Sequence, residues 1–370
     1  MKIEKIEAWF VSVPMDRVQM HETIPIQPDH GSVVARITCD DGTTGIGRTY
    51  GGSAFGSHAV KACILKEYAP KLIGENPVYI NKIWNKLEAA SHFMGRGGVA
   101  FSALSVIDIA LWDILGKHVN LPIYKLLGAV RDTVPVYASE GWLQFTTDEL
   151  VGQVVKRKEQ GFKGVKIRLP YDTNQCVERM KAVREAVGDT YPIMVDVQNG
   201  WENVSHSIHN IEAIRKYNPY WIEEPVGVQD FEGHAQTFRQ TGVAVAGGEN
   251  LYSKHFIYNA LTKGAFNYAQ MDSLRIGGIT EMQRLIGVTE TMFIPSVPHG
   301  AYDVHVHIAL AHTAKSVPFV ELLSDSEVNV LSVIYTDFQW PKDGMAVTPT
   351  KPGLGYTLDE YAMKQYVVKD

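Results

Sequence analysis

Three acidic residues each close a short apolar run in the middle of the chain. They are Asp196 in Ile193-Met194-Val195-Asp196, Glu223 in Trp221-Ile222-Glu223, and Glu249 in Val245-Ala246-Gly247-Gly248-Glu249, about one strand-plus-helix unit apart. Each run reads as a buried strand followed by a turn. In a barrel of parallel strands the side chains at the strand C-termini converge on one mouth, where three such carboxylates meet. Oxygen donors of this kind suit a hard divalent cation such as Mg²⁺, whose remaining positions go to water or to substrate oxygens. One such acid alone would read as a helix N-cap or a solvated loop charge. Three in register read as a metal site.

Other reactive side chains fall at the same ends. Lys166 and Arg168, one residue apart in Val165-Lys166-Ile167-Arg168, project to the same face of a strand. Two buried cations imply anionic partners, either the carboxylates across the mouth or an anionic substrate. Asp272 follows Tyr268-Ala269-Gln270-Met271, and His299 follows the next strand, Phe293 to Pro298. A carboxylate beside a histidine fixes its tautomer and raises its basicity, which makes a general base. Taken alone the pair would read as structural; facing a metal and two cations, it reads as catalytic. Glu321 ends the last barrel strand, Phe319 to Leu323, where it could bond a substrate oxygen. His305, His307 and His312 read as packing or surface residues of a helix.

These groups need a scaffold. A chain of 370 residues exceeds one ordinary core, so a large and a small domain are expected. Residues 3 to 13 and 32 to 39 alternate apolar and polar, with a turn signal at Asp40-Asp41-Gly42, and read as an antiparallel meander. Between the first strands, Met15 to His30 reads as an irregular lid. His21 and His30 sit on it as candidate substrate contacts, although such histidines are commonly surface residues. Helical spacing follows over Ser57 to Leu87 and Val99 to Val119. From Val134 onward, strands at 134–139, 164–169, 192–196, 219–223, 243–248, 267–271 and 292–296 alternate with helices. The expected architecture is α/β, an α+β capping domain (1–125) over a modified TIM (β/α)7β barrel (126–330), with 331–370 returning to the cap.

Composition narrows the function. The net charge of -6, with both signs mixed along the chain, offers no block for nucleic acid. No run is long enough to span a bilayer, and Met1 to Glu7 lacks a cleavable apolar core, so a membrane partner is not expected. Cys39, Cys63 and Cys176 are few, odd in number and without metal-ligand spacing, which fits inert thiols and a cytoplasmic location.

The order Lys166-Ile167-Arg168, Asp196, Glu223-Glu224-Pro225, Gly248-Glu249, Asp272 and His299 resembles the mandelate racemase subgroup of the enolase superfamily. Ile107 to Lys117 and Leu121 to Gly128 are similar to that family's junction between cap and barrel, so the resemblance covers nearly the whole chain. It implies Mg²⁺ held by Asp196, Glu223 and Glu249, a carboxylate substrate, and an enediolate formed when the α-proton is removed. Two positions depart from the pattern. Arg168 stands where the family commonly has a second lysine, and arginine is a good anion clamp but a poor base. Gln198 stands where asparagine is frequent. One efficient base favours one-sided chemistry over racemisation. The expectation is therefore dehydration of a sugar acid, an aldonate or aldarate, to a 2-keto-3-deoxy acid. His299 would be the base, Asp272 its orienting partner, and Lys166 and Arg168 the cations at the carboxylate. Ser139, Gln198, Glu224, Glu321, His21 and Tyr50 are candidate substrate contacts. Alternatives are a cycloisomerase of a sugar lactone or anhydro-sugar acid, an epimerase, and a non-catalytic carboxylate binder. A homo-oligomer is expected.

Overall fold

The computed structural model describes residues 1–19, 27–52, 55–323 and 329–369. Strands β1 (Ile3–Gln19), β2 (Gln27–Cys39) and β3 (Thr44–Gly51) form an antiparallel sheet in the order β1-β2-β3. Gly42, at φ 83°, makes the turn between β2 and β3 and donates its N–H to Cys39 O at 3.0 Å. One expectation is corrected here. Pro14 pairs with Asp29 and Gln19 with Gln27, so main-chain pairing runs deep into the Met15–His30 segment read as an irregular lid. Backbone bonds hold this ladder, and a ladder does not require an apolar alternation. His21 lies outside the described residues.

The helix Gly98–His118 lies directly on the sheet because β3 presents glycine to it. A Cβ on Gly47 would sit 2.0 Å from Val106 O, and one on Gly45 2.2 Å from Ala110 O. This helix is long and apolar enough to cross a membrane, yet it forms the core of the cap, with Ala103, Ile107, Ala110, Leu111 and Ile114 buried. The stretch of helical spacing from Ser57 to Leu87 is interrupted, and its second part is the separate helix Ile80–Ala90. Gly74 at φ 83° lies in the interruption, ahead of Pro77.

The remaining strands are parallel and neighbour one another in the order β10-β4-β5-β6-β7-β8-β9. They are β4 (Val136–Ser139), β5 (Val165–Arg168), β6 (Ile193–Asp196), β7 (Trp221–Glu223), β8 (Val245–Gly247), β9 (Tyr268–Ala269) and β10 (Val320–Leu323). A parallel bridge from Ala269 to Ser296, and the bond from Ser296 N to Ser316 O at 2.8 Å, place the Pro295–Val297 segment as a barrel stave, the seventh in chain order, with β10 the eighth. Helices over 147–159, 173–187, 204–214, 231–241, 254–262, 278–291 and 302–310 connect the staves, giving (β/α)7β order. β4 to β8 are buried throughout, as strands covered on both faces must be. Several helix starts are locally encoded. Thr146 and Glu149 form a reciprocal capping box, and Asp172 accepts from Gln175 N–H at 2.9 Å.

Cap and barrel are locked by buried polar pairs. Arg48 on β3 donates to Asp303 Oδ2 at 2.8 Å and to Oδ1 at 2.5 Å, and Tyr335 donates to the same carboxylate at 3.1 Å. Asp113 accepts from Ile46 N–H and Leu354 N–H, both at 2.9 Å, joining β3 to the C-terminal segment. Val368 N–H donates to Phe10 O at 2.8 Å, so the tail reaches the cap sheet.

Candidate active site

Parallel register sets the level of the reactive side chains. Arg168 pairs with Asp196, and Asp196 with Glu223, so three adjacent strands end in charged groups at one height. Lys166 lies one inward-facing layer below. Its Nζ is 2.8 Å from Glu223 Oε1, 2.8 Å from Glu321 Oε1 and 3.6 Å from Asp196 Oδ2, with no exposed surface. Burial opposes the lysine charge, but these carboxylates outweigh it and keep the ammonium protonated. Conversely, against burial, Lys166 brings Glu321 down to about 2.

The carboxylates of Asp196, Glu223 and Glu249 are not drawn round one point. Among the described residues, no three acidic, histidine or cysteine side chains stand together as a metal cluster. Each instead takes its own counter-group. Glu223 Oε2 accepts from Gln270 Nε2 at 2.7 Å, Glu249 Oε2 lies 2.9 Å from His299 Nε2, and Glu249 Oε1 lies 3.3 Å from Arg275 Nη1. Burial raises Asp196 and Glu223, and neighbouring carboxylates add to the rise. Acidic groups are thus in surplus: Asp196, Glu223, Glu249, Asp272 and Glu321 outnumber Lys166, Arg168, Arg275 and His299. An all-oxygen donor set with surplus charge fits a hard divalent cation.

Across the mouth, His299 Nδ1 lies 2.9 Å from Asp272 Oδ2. A carboxylate accepts only, which assigns the Nδ1 proton and leaves Nε2 toward the mouth. Burial alone would lower this imidazole, but Glu249 and Asp272 raise it to about 10. The Tyr50 hydroxyl, delivered by β3, stands 3.5 Å from Nδ1, a contact at the limit of hydrogen bonding. Gly300 at φ 52° makes room for it, since a Cβ there would lie 2.3 Å from the Tyr50 oxygen. On the opposite flank the Arg168 guanidinium lies 3.5 Å from the Trp142 ring centroid, donates to Glu140 O at 2.9 Å and approaches Asp196 Oδ2 at 3.9 Å.

These groups lie at or beneath a cavity of about 490 Å³ between the barrel mouth and the cap. Arg168, Asp196, Gln198, Glu249 and His299 line it from the barrel, and His30 and Tyr50 from the cap. Gln198 sits in the left-handed region at φ 47°, its N–H bonded to Asp196 Oδ1 at 2.9 Å. Three residues read as substrate contacts, Glu224, Ser139 and Glu321, are placed elsewhere. Glu224, at φ 44°, turns from the mouth to accept from Asn199 and Asn250 Nδ2, both at 2.8 Å, tying three loops together. Burial, with Glu249 nearby, pushes it up to about 7. Ser139 is paired in register with Lys166 and fully buried, its Oγ without a hydrogen-bond partner among the described residues. Lys166, Glu223 and Glu321 likewise lie beneath the cavity wall. Arg48, Trp142 and Arg275 were not identified from the sequence. Arg275 grips Glu249 O at 3.1 Å and Asn250 Oδ1 at 3.1 Å, and its Nε lies 3.7 Å from Asp272. Its only sequence signal is its place three residues after Asp272.

The profile described as Enolase C-terminal domain-like matches residues 149–362. That of the Mandelate racemase / muconate lactonizing enzyme, N-terminal domain, matches residues 5–128. The L-talarate/galactarate dehydratase of Salmonella typhimurium is 34% identical over 90% of this chain and 81% of its own. The 3,6-anhydro-alpha-L-galactonate cycloisomerase of Streptomyces coelicolor is 32% identical over 96% of this chain and 97% of its own. A crystal structure of the Salmonella typhimurium dehydratase liganded with Mg and L-lyxarohydroxamate matches with a TM-score of 0.91 at 31% identity, covering 100% of this chain and 93% of that one. A racemase from Streptomyces coelicolor with bound magnesium matches at 0.91 and 31%, covering 99% and 100%.

Proposed function

The chain belongs to the mandelate racemase/muconate lactonizing enzyme group of the enolase superfamily, and we propose on that premise that it dehydrates a sugar acid in a Mg²⁺-dependent reaction. Asp196, Glu223 and Glu249 would hold the cation, with Glu249 exchanging its contact with His299 for it. When bound, Mg²⁺ supplies Lewis-acid stabilisation of the charge that develops on the substrate carboxylate.

The chain's own groups do the rest. The carboxylate end of the substrate lies against the Arg168 guanidinium, which Trp142 and Glu140 O hold flat. Lys166, beneath the wall between Glu223 and Glu321, adds fixed positive charge below that end. Glu249 is the main group that raises His299, and once it is drawn to the cation Nε2 is released; His299 Nε2 then removes the α-proton, and Asp272 holds the imidazole in the required tautomer. Loss of the β-hydroxyl then gives an enol that becomes the 2-keto-3-deoxy acid.

The observation that carries this reading is the His299–Asp272 dyad opening on the cavity that Arg168 enters from the other side. Binding alone needs no oriented base. Arginine stays protonated below about pH 12, so the arrangement has one efficient base, which favours elimination over racemisation. Expulsion of a ring oxygen from an anhydro-sugar acid is the second reading, favoured by the end-to-end match to the cycloisomerase. A panel of aldonates, aldarates and anhydro-aldonates with Mg²⁺, assayed for 2-keto acid with and without water loss by mass, tests both. A 2-keto acid 18 Da below its substrate, as loss of one water requires, supports dehydration, and an isomeric 2-keto product supports cycloisomerisation. No carbonyl product from any acid would overturn the proposal.

A further inference from the structure

Elimination of a hydroxyl needs a proton delivered to the departing oxygen, and Arg168 holds its proton too tightly to supply it. We propose that His30 is the catalytic residue that protonates the departing β-hydroxyl, on the flank of the mouth opposite His299. The inference rests on the dehydratase reading and names the acid that it requires.

Strand geometry brings His30 there. Residues 30 and 32 share one face of β2, and Ser32 is paired directly with Tyr50 on β3, so His30 and Tyr50 leave the cap sheet on the same side. Tyr50 descends on His299, reaching within 3.5 Å of Nδ1. His30 descends on the other flank, close enough to Arg168 for that cation to act on the imidazole. Arg168 ends β5, whereas His299 follows the stave beyond β9, so the two imidazoles face each other across the cavity.

Three other polar side chains of the cavity already have work. Arg48 is held by Asp303, Arg275 by Glu249 and Asn250, and Tyr50 by the contact with His299. Asp29, the chain neighbour of His30, accepts from Ser12 Oγ at 2.5 Å. The His30 ring lines the cavity and makes no hydrogen bond to another described residue, so both ring nitrogens are available to a ligand. Burial lowers the ring; Asp29 works against this and Arg168 with it, leaving the ring at about 4 and therefore uncharged at neutral pH. A bound carboxylate offsets the smaller, Arg168 part of this lowering and adds its own negative charge beside the ring, which shifts the imidazole toward its charged form. An imidazolium so disfavoured gives up its proton readily.

The protons balance over one turnover. His299 Nε2 takes the α-proton, the Cβ–O bond breaks, and the imidazolium of His30 gives its proton to the departing oxygen, which leaves as water. The enol O–H then returns a proton to His30, and His299 gives its proton to C3. Both residues are back in their starting states, and the substrate has lost one water.

The test compares wild type with His30→Asn on the acid that wild type dehydrates fastest, and on its 3-deoxy-3-fluoro counterpart, whose fluoride leaves without needing a proton. On the hydroxy acid, kcat for dehydration should fall by on the order of 100-fold or more. Recovered substrate should still acquire deuterium at its α-carbon in D₂O, because His299 is intact. On the fluoro acid, most of the loss should disappear. Equal losses on both acids, or unchanged dehydration of the hydroxy acid, would overturn the role of His30 while leaving the dehydratase reading intact. A wild-type protein that neither dehydrates nor exchanges any acid of the panel would remove that reading and this inference together. His30→Gln, measured alongside with far-ultraviolet dichroism, separates loss of the acid from misfolding.

Discussion

Asp272 Oδ2 lies 2.9 Å from His299 Nδ1, and Asp272 Oδ1 accepts from Leu274 N–H at 2.8 Å, so the carboxylate that orients the imidazole is itself anchored by the backbone. Asp272→Asn keeps the volume but replaces an obligate acceptor with an amide that can also donate, and the tautomer is no longer set. The expected loss in kcat is about 10²- to 10⁴-fold. Mg²⁺ affinity by titration calorimetry should stay within a few-fold, since Asp272 is not in the proposed donor set. A variant with near wild-type kcat would show that His299 is not the base.

The Arg168 clamp should act on binding. Its guanidinium lies flat on Trp142 while bonding Glu140 O. An ammonium cannot do both. Arg168→Met should raise KM by about 10- to 100-fold, the worth of a hydrogen bond to a charged group. Arg168→Lys should recover only part of that. Steady-state kinetics on the preferred acid checks it, and an unchanged KM in both variants would contradict the clamp.

Arg48 and Asp303 form a buried two-point ion pair between cap and barrel, with 4% and 0% side-chain exposure. Removing one partner strands the other charge. Arg48→Met should cost about 3–5 kcal/mol, whereas Arg48→Met combined with Asp303→Leu should recover much of the loss. Urea unfolding of wild type and both variants is the measurement, and equal destabilisation by the single and double changes would argue against the pair.

His307 predicts a pH dependence of stability. Its Nδ1 accepts from Tyr124 N–H at 3.2 Å and its Nε2 donates to Leu354 O at 3.0 Å, so both nitrogens are committed in the neutral ring. Burial lowers it to about 4, against an ordinary value of about 6.5. Above pH 6.5 the ring is neutral in folded and unfolded chains, and its contribution is fully present. As pH falls from 6.5 through 4 the unfolded chain binds the proton first, and that stability is lost. Melting temperature should therefore drop over this window more steeply in wild type than in His307→Gln. Parallel curves would show that His307 does not contribute.

The barrel and its strand-end charges were legible because both are local features. An apolar run ending in an acid marks Asp196 or Glu223 without reference to anything distant. The alternation of strand and helix then sets the ring order, which puts Lys166, Arg168, Asp272 and His299 at one mouth. What could not be read depends on backbone dihedrals or on the cap. Glu224 leaves the site because its φ is 44°, and no pattern in Glu223-Glu224-Pro225 distinguishes it from its neighbour. Arg48, Trp142 and Arg275 become site residues only through contacts with groups far away in sequence or across a loop. The Met15–His30 segment pairs through main-chain atoms, which leave little trace in side-chain pattern.

The central claim is that His299, oriented by Asp272, removes the proton α to a carboxylate when Mg²⁺ is present. Proton NMR in D₂O with the acid-sugar panel tests it most directly, with wild type, wild type plus EDTA, and His299→Asn measured side by side. The account predicts loss of the α-proton signal with wild type and Mg²⁺, together with a 2-keto-3-deoxy product. It predicts neither change with EDTA or with His299→Asn. Undiminished α-proton exchange in the His299→Asn protein would contradict it.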